Sequence, residues 1–387
     1  MLIMRGIKPL TLMEVCDGLT DVDPRADRVT KFEFGELLFA AMIAILCGAV
    51  SYKKMAMVAE AKIEWLRRYL PYENGTPSAG TFRDVLSRLN PLHIHEAFAG
   101  WAGEALETLR GAGVVAIDGK TAKGTKTSAK KPLHVVSAFA SAASLVIGQI
   151  SCSAKSNEIT AIPELLDMLD IHGCLVTIDA MGTQRGIAEQ IVRDGGDYLL
   201  QVKGNQPMLH GALQDCFAGC VHDDLLPENM DYAVTEEKGH GRTEKRECFL
   251  MPGTRWMGGT HEKWPTVRFG ALIRSFVTRN GEEPVQSLHY FIGSREDMTA
   301  EQCLAAKRQH WSIENQLHWV LDVQFSEDRS KASADHSAEN LNALRHIAYN
   351  ALRQTPGLKG SFSDKQLRCL LDNQVLHDVA STLANSV

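Results

Sequence analysis

Two stretches decide how this chain reads: GVVAIDGKTAKG (113–124) and CLVTIDAMGTQ (174–184). Each opens with a short β-branched, apolar run, the composition of a buried strand, and each run stops at an aspartate, Asp118 or Asp179. In open α/β sheets, ligands sit beyond the carboxyl ends of the strands. A carboxylate placed directly after such a run has its backbone held by the sheet. Two of them brought together repel, and both stay ionised chiefly when a cation lies between. Hard oxygen donors without cysteine or histidine beside them suit magnesium or manganese. One aspartate alone reads as a turn residue. Two in matching contexts, with glycine and lysine flanking them, read as a site.

Outward from these stretches the texture is consistent. Leu133 to Ala140 and Leu145 to Ser151 predict a hairpin. Helices are expected over Glu158 to Leu169 and Thr183 to Asp194, the latter stopped by Gly195-Gly196, and Asp197 to Val202 reads as a fifth strand. Three strands, helix, strand, helix, strand predict a mixed sheet with helices on its faces. Residues 206–293 read as a β-rich insertion, with strand-like runs at Thr266 to Thr278 and Gln286 to Ile292. From Thr299 to about Arg353 the pattern is helical again. Upstream, residues 1–110 read as all-helical: Phe34 to Val50 buried, Lys53 to Leu70 amphipathic, then Ser78 to Leu89 and His93 to Leu109. The expected division is a helical N-terminal domain at 1–110, an α/β domain at 111–355 and a C-terminal tail at 356–387.

With 387 residues, 44% hydrophobic and 23% charged, the chain has enough apolar surface to offset chain entropy, which argues against disorder. Its longest apolar run, Leu37 to Val50, has 14 residues, short of the roughly 20 that span a bilayer. No charged start followed by an apolar core and a cleavage site is present, so a cytoplasmic location is expected. Nine scattered cysteines fit reduced thiols better than a disulfide framework. A net charge of -6 argues mildly against nucleic acid, but it averages over strong segregation. Lys120, Lys123, Lys126, Lys130, Lys131 and Lys155 lie between Gly119 and Asn157 with no carboxylate among them, whereas seven carboxylates and one lysine lie between Gly211 and His240.

A third acid is sought in HWSIEN (310–315). Trp311, Ile313, Leu317 and Leu321 make that helix apolar over much of its surface, where a buried glutamate needs a partner or a metal. Glu314 is therefore better motivated than Glu301; Asp322, Glu327 and Asp328 compete within the same region, and spacing alone does not exclude Asp322.

The ordered set GTPSAGTFRDVLSRLNP (75–91), AIDGKTAKG (116–124), KSNEI (155–159), TIDAMGTQ (177–184), LLQVKGNQ (199–206), GHGRTEKR (239–246) and HWSIENQLHWVLDVQFSEDRSKA (310–332) resembles the H-repeat-associated, ISAs-type insertion-sequence transposases. Each motif is weak alone; their order is specific. The resemblance implies a ribonuclease H-like DDE fold, an N-terminal transposase-associated domain, and catalytic, metal-holding acids at Asp118, Asp179 and Glu314. It implies two Mg²⁺ (or Mn²⁺) ions, Asp118 bridging them, and cleavage and strand transfer of insertion-sequence DNA ends. The implied partners are double-stranded DNA and a second copy in a synaptic homodimer, with no membrane. The wider group surrounds its glutamate with a tyrosine, an arginine and a lysine; the matching positions here hold Lys307, His310 and Leu321, so the lysine function falls elsewhere, with Lys331 as a candidate.

Phosphate contacts are expected from Lys120, Lys123, Lys126, Lys130 and Lys131 beside the first acid and from Arg242, Lys245 and Arg246 in the insertion, where a charged hairpin is the plainer account. Gln184 and Asn205 read as turn residues or backbone ligands of DNA. The pairs His310-Trp311 and His318-Trp319 suit core packing better than base stacking. Cys216, Cys220 and His222 lack a clear fourth ligand for zinc. The alternatives to a transposase are a DNA-binding remnant without activity, or host-adopted, and a metal-dependent nuclease of the same fold.

Overall fold

The computed structural model describes Cys16, Leu19 and residues 22–25, 30–97, 113–128, 131–152, 157–222, 226–239, 241–279 and 282–382. Lys130 and Lys155 lie outside the described residues, as does the second half of the helix expected over His93 to Leu109.

Nine strands form one sheet: β1 (Val114–Ala122), β2 (Leu133–Ala140), β3 (Leu145–Cys152), β4 (Leu175–Ile178), β5 (Asp197–Val202), β6 (Asp231–Gly239), β7 (Arg242–Pro252), β8 (Phe269–Arg279) and β9 (Val285–Gly293). Their order is β3-β2-β1-β4-β5-β9-β8-β7-β6. β1, β4 and β5 run parallel, and every other pairing is antiparallel. The inserted segment is thus not a separate β module. Its last strand pairs with β5 and carries three more strands onward in the same sheet.

The N-terminal helices are α1 (Phe34–Leu46), α2 (Tyr52–Ala61) and α3 (Ala79–Arg88). All 13 residues of α1 are buried, as its almost wholly apolar sequence demands, and its one acid, Glu36, accepts from the Tyr72 amide. Ser78 caps α3, its hydroxyl accepting from the Thr81 amide at 3.2 Å. The amphipathic helix expected from Lys53 to Leu70 breaks at Lys62 and resumes only as the turn Ile63–Leu66. In the α/β part, α4 (Glu158–Asp167) and α5 (Arg185–Arg193) link the parallel strands, α6 (Pro207–Cys216) follows β5, and α7 (Ala300–Ser312) follows β9. α7 runs into a π-helical segment, Ile313–His318, and then α8 (Trp319–Val323). α9 (Ser337–Gln354), α10 (Phe362–Leu371) and α11 (Asn373–Thr382) complete the chain.

The helices pack on the two faces of the sheet. On one, Ile162 and Leu165 of α4 and Ile187 and Ile191 of α5 join Ile117, Val176 and Leu200 in the main core. On the other, Cys303, Leu304 and Ala306 of α7 meet Val114, Leu175 and Leu199 together with Cys248, Ile273 and Phe291. α7 therefore bridges the parallel strands and the inserted ones. The C-terminal stretch expected as a tail is instead packed. Leu376 and Val379 are fully buried, and the Gln366 amide donates to the Ile45 carbonyl at the end of α1 (3.2 Å).

α9 brings polar groups into the core, and one of them completes the sheet. The β2–β3 register shifts between Ala138 and Phe139, and Asn350 meets the backbone there: the Val146 amide donates to its Oδ1 (3.0 Å) and its Nδ2 donates to the Val146 carbonyl (2.7 Å). Asn350→Ala leaves both backbone groups buried without a partner. The expected loss is about 3 kcal/mol, read from urea unfolding of the two proteins.

Candidate active site

β1 and β4 pair in parallel from Val114↔Leu175 to Ile117↔Ile178, so Asp118 and Asp179 occupy the next positions of neighbouring strands. Side chains alternate along a strand, which puts Asp118 on the face of Val114, and Asp179 on the face of Leu175 and Thr177. That is the face covered by α7, whose His310 Nδ1 lies 3.0 Å from the Thr177 hydroxyl. One expectation is corrected: β1 does not stop at Asp118. It continues to Ala122 because β2 goes on pairing with it, Asp118↔Ser137 through Ala122↔Leu133. Asp118 thus marks where the parallel partner ends, and the backbone beyond it stays extended.

Each aspartate is oriented by backbone amides. Asp118 Oδ1 accepts from Gly119 at 2.9 Å, and Asp179 Oδ1 accepts from Met181 at 2.9 Å and Gly182 at 3.3 Å. The turn-forming habit of aspartate operates at Asp179 alongside its placement at the sheet end. The turn after it is tied down by Asn205, whose Nδ2 donates to Ala180 O (2.6 Å), by Gln206 to Thr183 O (2.9 Å) and by Gln184 to Met181 O (3.2 Å). Gln184 and Asn205 thus hold the loop that carries Asp179.

Glu314, the third acid expected from the sequence, lies in the π-helical segment. Glu314 is exposed, not buried, so the cost of burial is not what marks it. Four residues on, the buried His318 reaches the site, with Nδ1 3.6 Å from Asp118 Oδ2. Burial pushes the Asp118 carboxyl up to about 7; the Gly119 amide opposes this, and the charges of Asp179, Glu158 and Glu314 add to it. Burial, with Lys120 nearby, pushes His318 down to about 4. These acids share one electrostatic neighbourhood in which like charges raise the cost of ionising Asp118. Among the described residues, no three His, Cys, Asp or Glu side chains, Asp118, Asp179 and Glu314 included, are gathered closely enough to hold a metal ion. By chemistry the expected donors, Asp118, Asp179 and Glu314, fit a hard divalent cation: all are carboxylate oxygens, with no thiolate among them.

Glu158 escaped the reading of the sequence as a site residue, although KSNEI contains it. Its Oε1 lies 2.7 Å from His134 Nε2, and this pair covers Gly119, where a Cβ would fall 2.3 Å from that same oxygen. A larger residue there would have to push this side-chain pair aside. No local pattern announces Glu158, because its charge comes near Asp118, from the opposite face of β1, only once α4 docks.

The competitors of Glu314 are accounted for. Asp322 and Glu327 both pair with Lys120, and Asp328 Oδ1 accepts from the Lys123 amide at 3.0 Å. Lys120 is correspondingly enclosed by acids, unlike the exposed Lys123, Lys126 and Lys131. Arg242, Lys245 and Arg246 lie on β7 among acids: Arg242 pairs with Glu244 (3.0 Å), Lys245 with Glu247 (2.8 Å), and Arg246 with Glu244 (2.7 Å) and Glu237 (3.5 Å). β7 is five strands from β1, about 24 Å at the usual spacing.

Of the helper positions, Leu321 is buried, Lys331 is exposed, and Lys307 lies over the Phe291 ring with its ammonium pushed down to about 8 by burial and by Arg246. Trp311 and Trp319 are 48% and 52% exposed, which corrects the expectation of core packing. They stand on either side of Glu314 in sequence. Cys220 donates to the Met230 sulfur at 3.6 Å and is buried, which is packing and not metal ligation.

A family described as "Transposase DDE domain" matches residues 109–351, and one described as "DDE_Tnp_1-associated" matches residues 19–102. The chain belongs to the DDE transposase family. Its α/β part is accordingly ribonuclease H-like. It is 37% identical over 369 residues to the "H repeat-associated putative transposase YhhI" of Escherichia coli (strain K12), covering 94% of this chain and 96% of the relative. It is 41% identical over 218 residues to the "H repeat-associated putative transposase YbfD" of the same strain, covering 56% and 85%. It is 35% identical over 364 residues to the "Putative transposase YncI" of Escherichia coli O157:H7, covering 93% and 92%. Among the described residues, no helix of this DDE transposase family member is long and apolar enough to cross a membrane.

Proposed function

We propose that this chain cleaves DNA at the ends of an insertion sequence and joins the freed strand to target DNA, with Asp118, Asp179 and Glu314 as its catalytic acids. The observation that carries the reading is the register of β1 and β4, which sets Asp118 beside Asp179 under the helix that bears Glu314. These three carboxylates would hold the two Mg²⁺ or Mn²⁺ ions that such chemistry uses. When bound, such ions activate the attacking oxygen and stabilise the leaving one in an in-line displacement at phosphorus.

The chain's own residues prepare that chemistry. The Gly119, Met181 and Gly182 amides keep the two aspartates from turning away. His318, held neutral by burial, borders Asp118 without competing for its charge. Exposed Lys123, Lys126 and Lys131 lie on the stretch after Asp118 and supply cations for backbone phosphates. Trp311 and Trp319 present indole faces on which bases can stack beside Glu314. A duplex partner and a synaptic pair of chains in the cytoplasm complete the proposal.

The test is a cleavage assay on DNA that carries the sequences flanking the gene. Nicks at the boundary of an inverted repeat, formed with Mg²⁺ and lost in EDTA, followed by joining to a target duplex, are the expected result. Cleavage without joining would make this a nuclease. Binding with no cleavage under saturating Mg²⁺ would make it an inactive remnant.

A further inference from the structure

Lys120 follows Asp118 by two residues and so lies on the same face of β1. Its ammonium is held by the carboxylates of Glu327 and Asp322 (2.7 Å to the latter), both of which follow the Glu314 segment in the chain. Glu327 is enclosed, its side chain 2% exposed. Asn342 donates to its Oε1 at 2.5 Å, and the Arg345 guanidinium lies 4.0 Å away. Burial opposes charge on both partners. Even so, Glu327 and Asp322 push the Lys120 ammonium up, and Lys120 and Arg345 hold Glu327 below the usual glutamate range.

The contact extends along the chain. The Lys123 amide donates to Asp328, and Gly124 lies flat against the same segment: a Cβ there would sit 2.2 Å from the Asp328 carbonyl oxygen and 2.7 Å from that of Ser330. The helix that carries Glu314 is therefore tied to the sheet on both sides. His310 bonds Thr177 of β4 before it, and Asp322 and Glu327 pair with Lys120 of β1 after it. Between these ties lies the π-helical stretch, a less regular hydrogen-bond ladder than an α-helix and therefore one that needs external support.

We infer that Lys120 and Glu327 form a latch that sets where the Glu314 helix rests against Asp118, which makes Lys120 a positioning residue and not a phosphate ligand. The inference rests on the proposed roles of Asp118, Asp179 and Glu314. Groups that orient metal ligands from outside commonly change metal affinity by 10–100-fold when removed.

The test is Mn²⁺ binding by titration calorimetry on the full chain without DNA. Lys120→Met/Glu327→Gln removes both charges of the pair at similar volume and keeps an oxygen that can accept from Asn342 and face Arg345, so it is the variant expected to fold where Lys120→Met alone fails. Its far-ultraviolet spectrum should match the parent, its Mn²⁺ affinity should fall about 10-fold, and the salt dependence of its duplex binding should be unaltered. A folded double variant that takes up Mn²⁺ like the parent overturns the latch. So does a salt slope lowered by about one, the mark of a lost phosphate contact. Asp179→Asn is the control: if the parent itself takes up no more Mn²⁺ than this variant, the metal reading falls and the latch with it.

Discussion

Asp118→Asn abolishes cleavage and makes the metal-free protein more stable. The two effects share one cause. Asp118 lies beside Asp179, feels Glu158 and Glu314 as well, and is buried enough that its carboxyl is pushed up to about 7. An asparagine has nearly the same shape, still accepts from the Gly119 amide through its oxygen, and carries no charge for its neighbours to repel. In metal-free buffer near pH 8 the variant should gain about 1–2 kcal/mol, a few degrees in melting temperature. It also loses the anionic oxygen that a shared cation needs, so Mg²⁺-dependent cleavage of end-bearing DNA should fall by about 10³-fold or more. DNA affinity should stay within about 3-fold, since the exposed lysines carry the phosphate contacts. Thermal melts, a cleavage time course and a binding isotherm measure the three quantities. A variant that melts lower than the parent, or cuts at a comparable rate, removes Asp118 from the centre of the site.

Glu327→Ala should be the most destabilising single change near the site. It strips the enclosed carboxylate from Lys120 and from Arg345, itself 5% exposed, and leaves Asn342 without its acceptor. Removing one partner of a buried ion pair costs about 3–5 kcal/mol, because the remaining charge stays in a poor solvent. Glu327→Gln should cost less, since its amide oxygen still accepts from Asn342. Urea denaturation of the three proteins gives the ranking, parent above Gln above Ala. Equal midpoints for parent and Ala variant would mean that Lys120 and Arg345 find water or other partners at no cost.

How much of this was legible in advance differs by element. The strands at 133–140, 145–152, 175–178 and 197–202 follow from β-branched runs bounded by turn residues, and the structure places them within a residue or so of that reading. β6 and β7 were anticipated only as a charged hairpin around Arg242, Lys245 and Arg246 within a β-rich insertion, without strand bounds. Their register sets Glu236 against Lys245 and Glu237 against Glu244, and charged residues, with Arg246 paired across to Glu237, stand where apolar alternation would. Charged residues at facing positions leave no periodic apolar signal from which strand bounds could be read. The helical tail was missed for a related reason. α10 and α11 are short and only partly apolar, and they become stable against α1 and α9, not through their own propensity.

For the site, local pattern alone determined the strand type around Asp118 and Asp179 and the helix around Glu314, because hydrophobic periodicity is a property of neighbours in the chain. Which acids face one another is set by tertiary structure. The parallel register brings Asp118 beside Asp179, helix docking adds Glu158 and His318, and Lys120 takes Asp322 and Glu327 out of the contest. Electrostatic partnership falls off with distance through space and takes no account of separation along the chain. A lysine two residues from an aspartate can therefore belong to a glutamate 207 positions away.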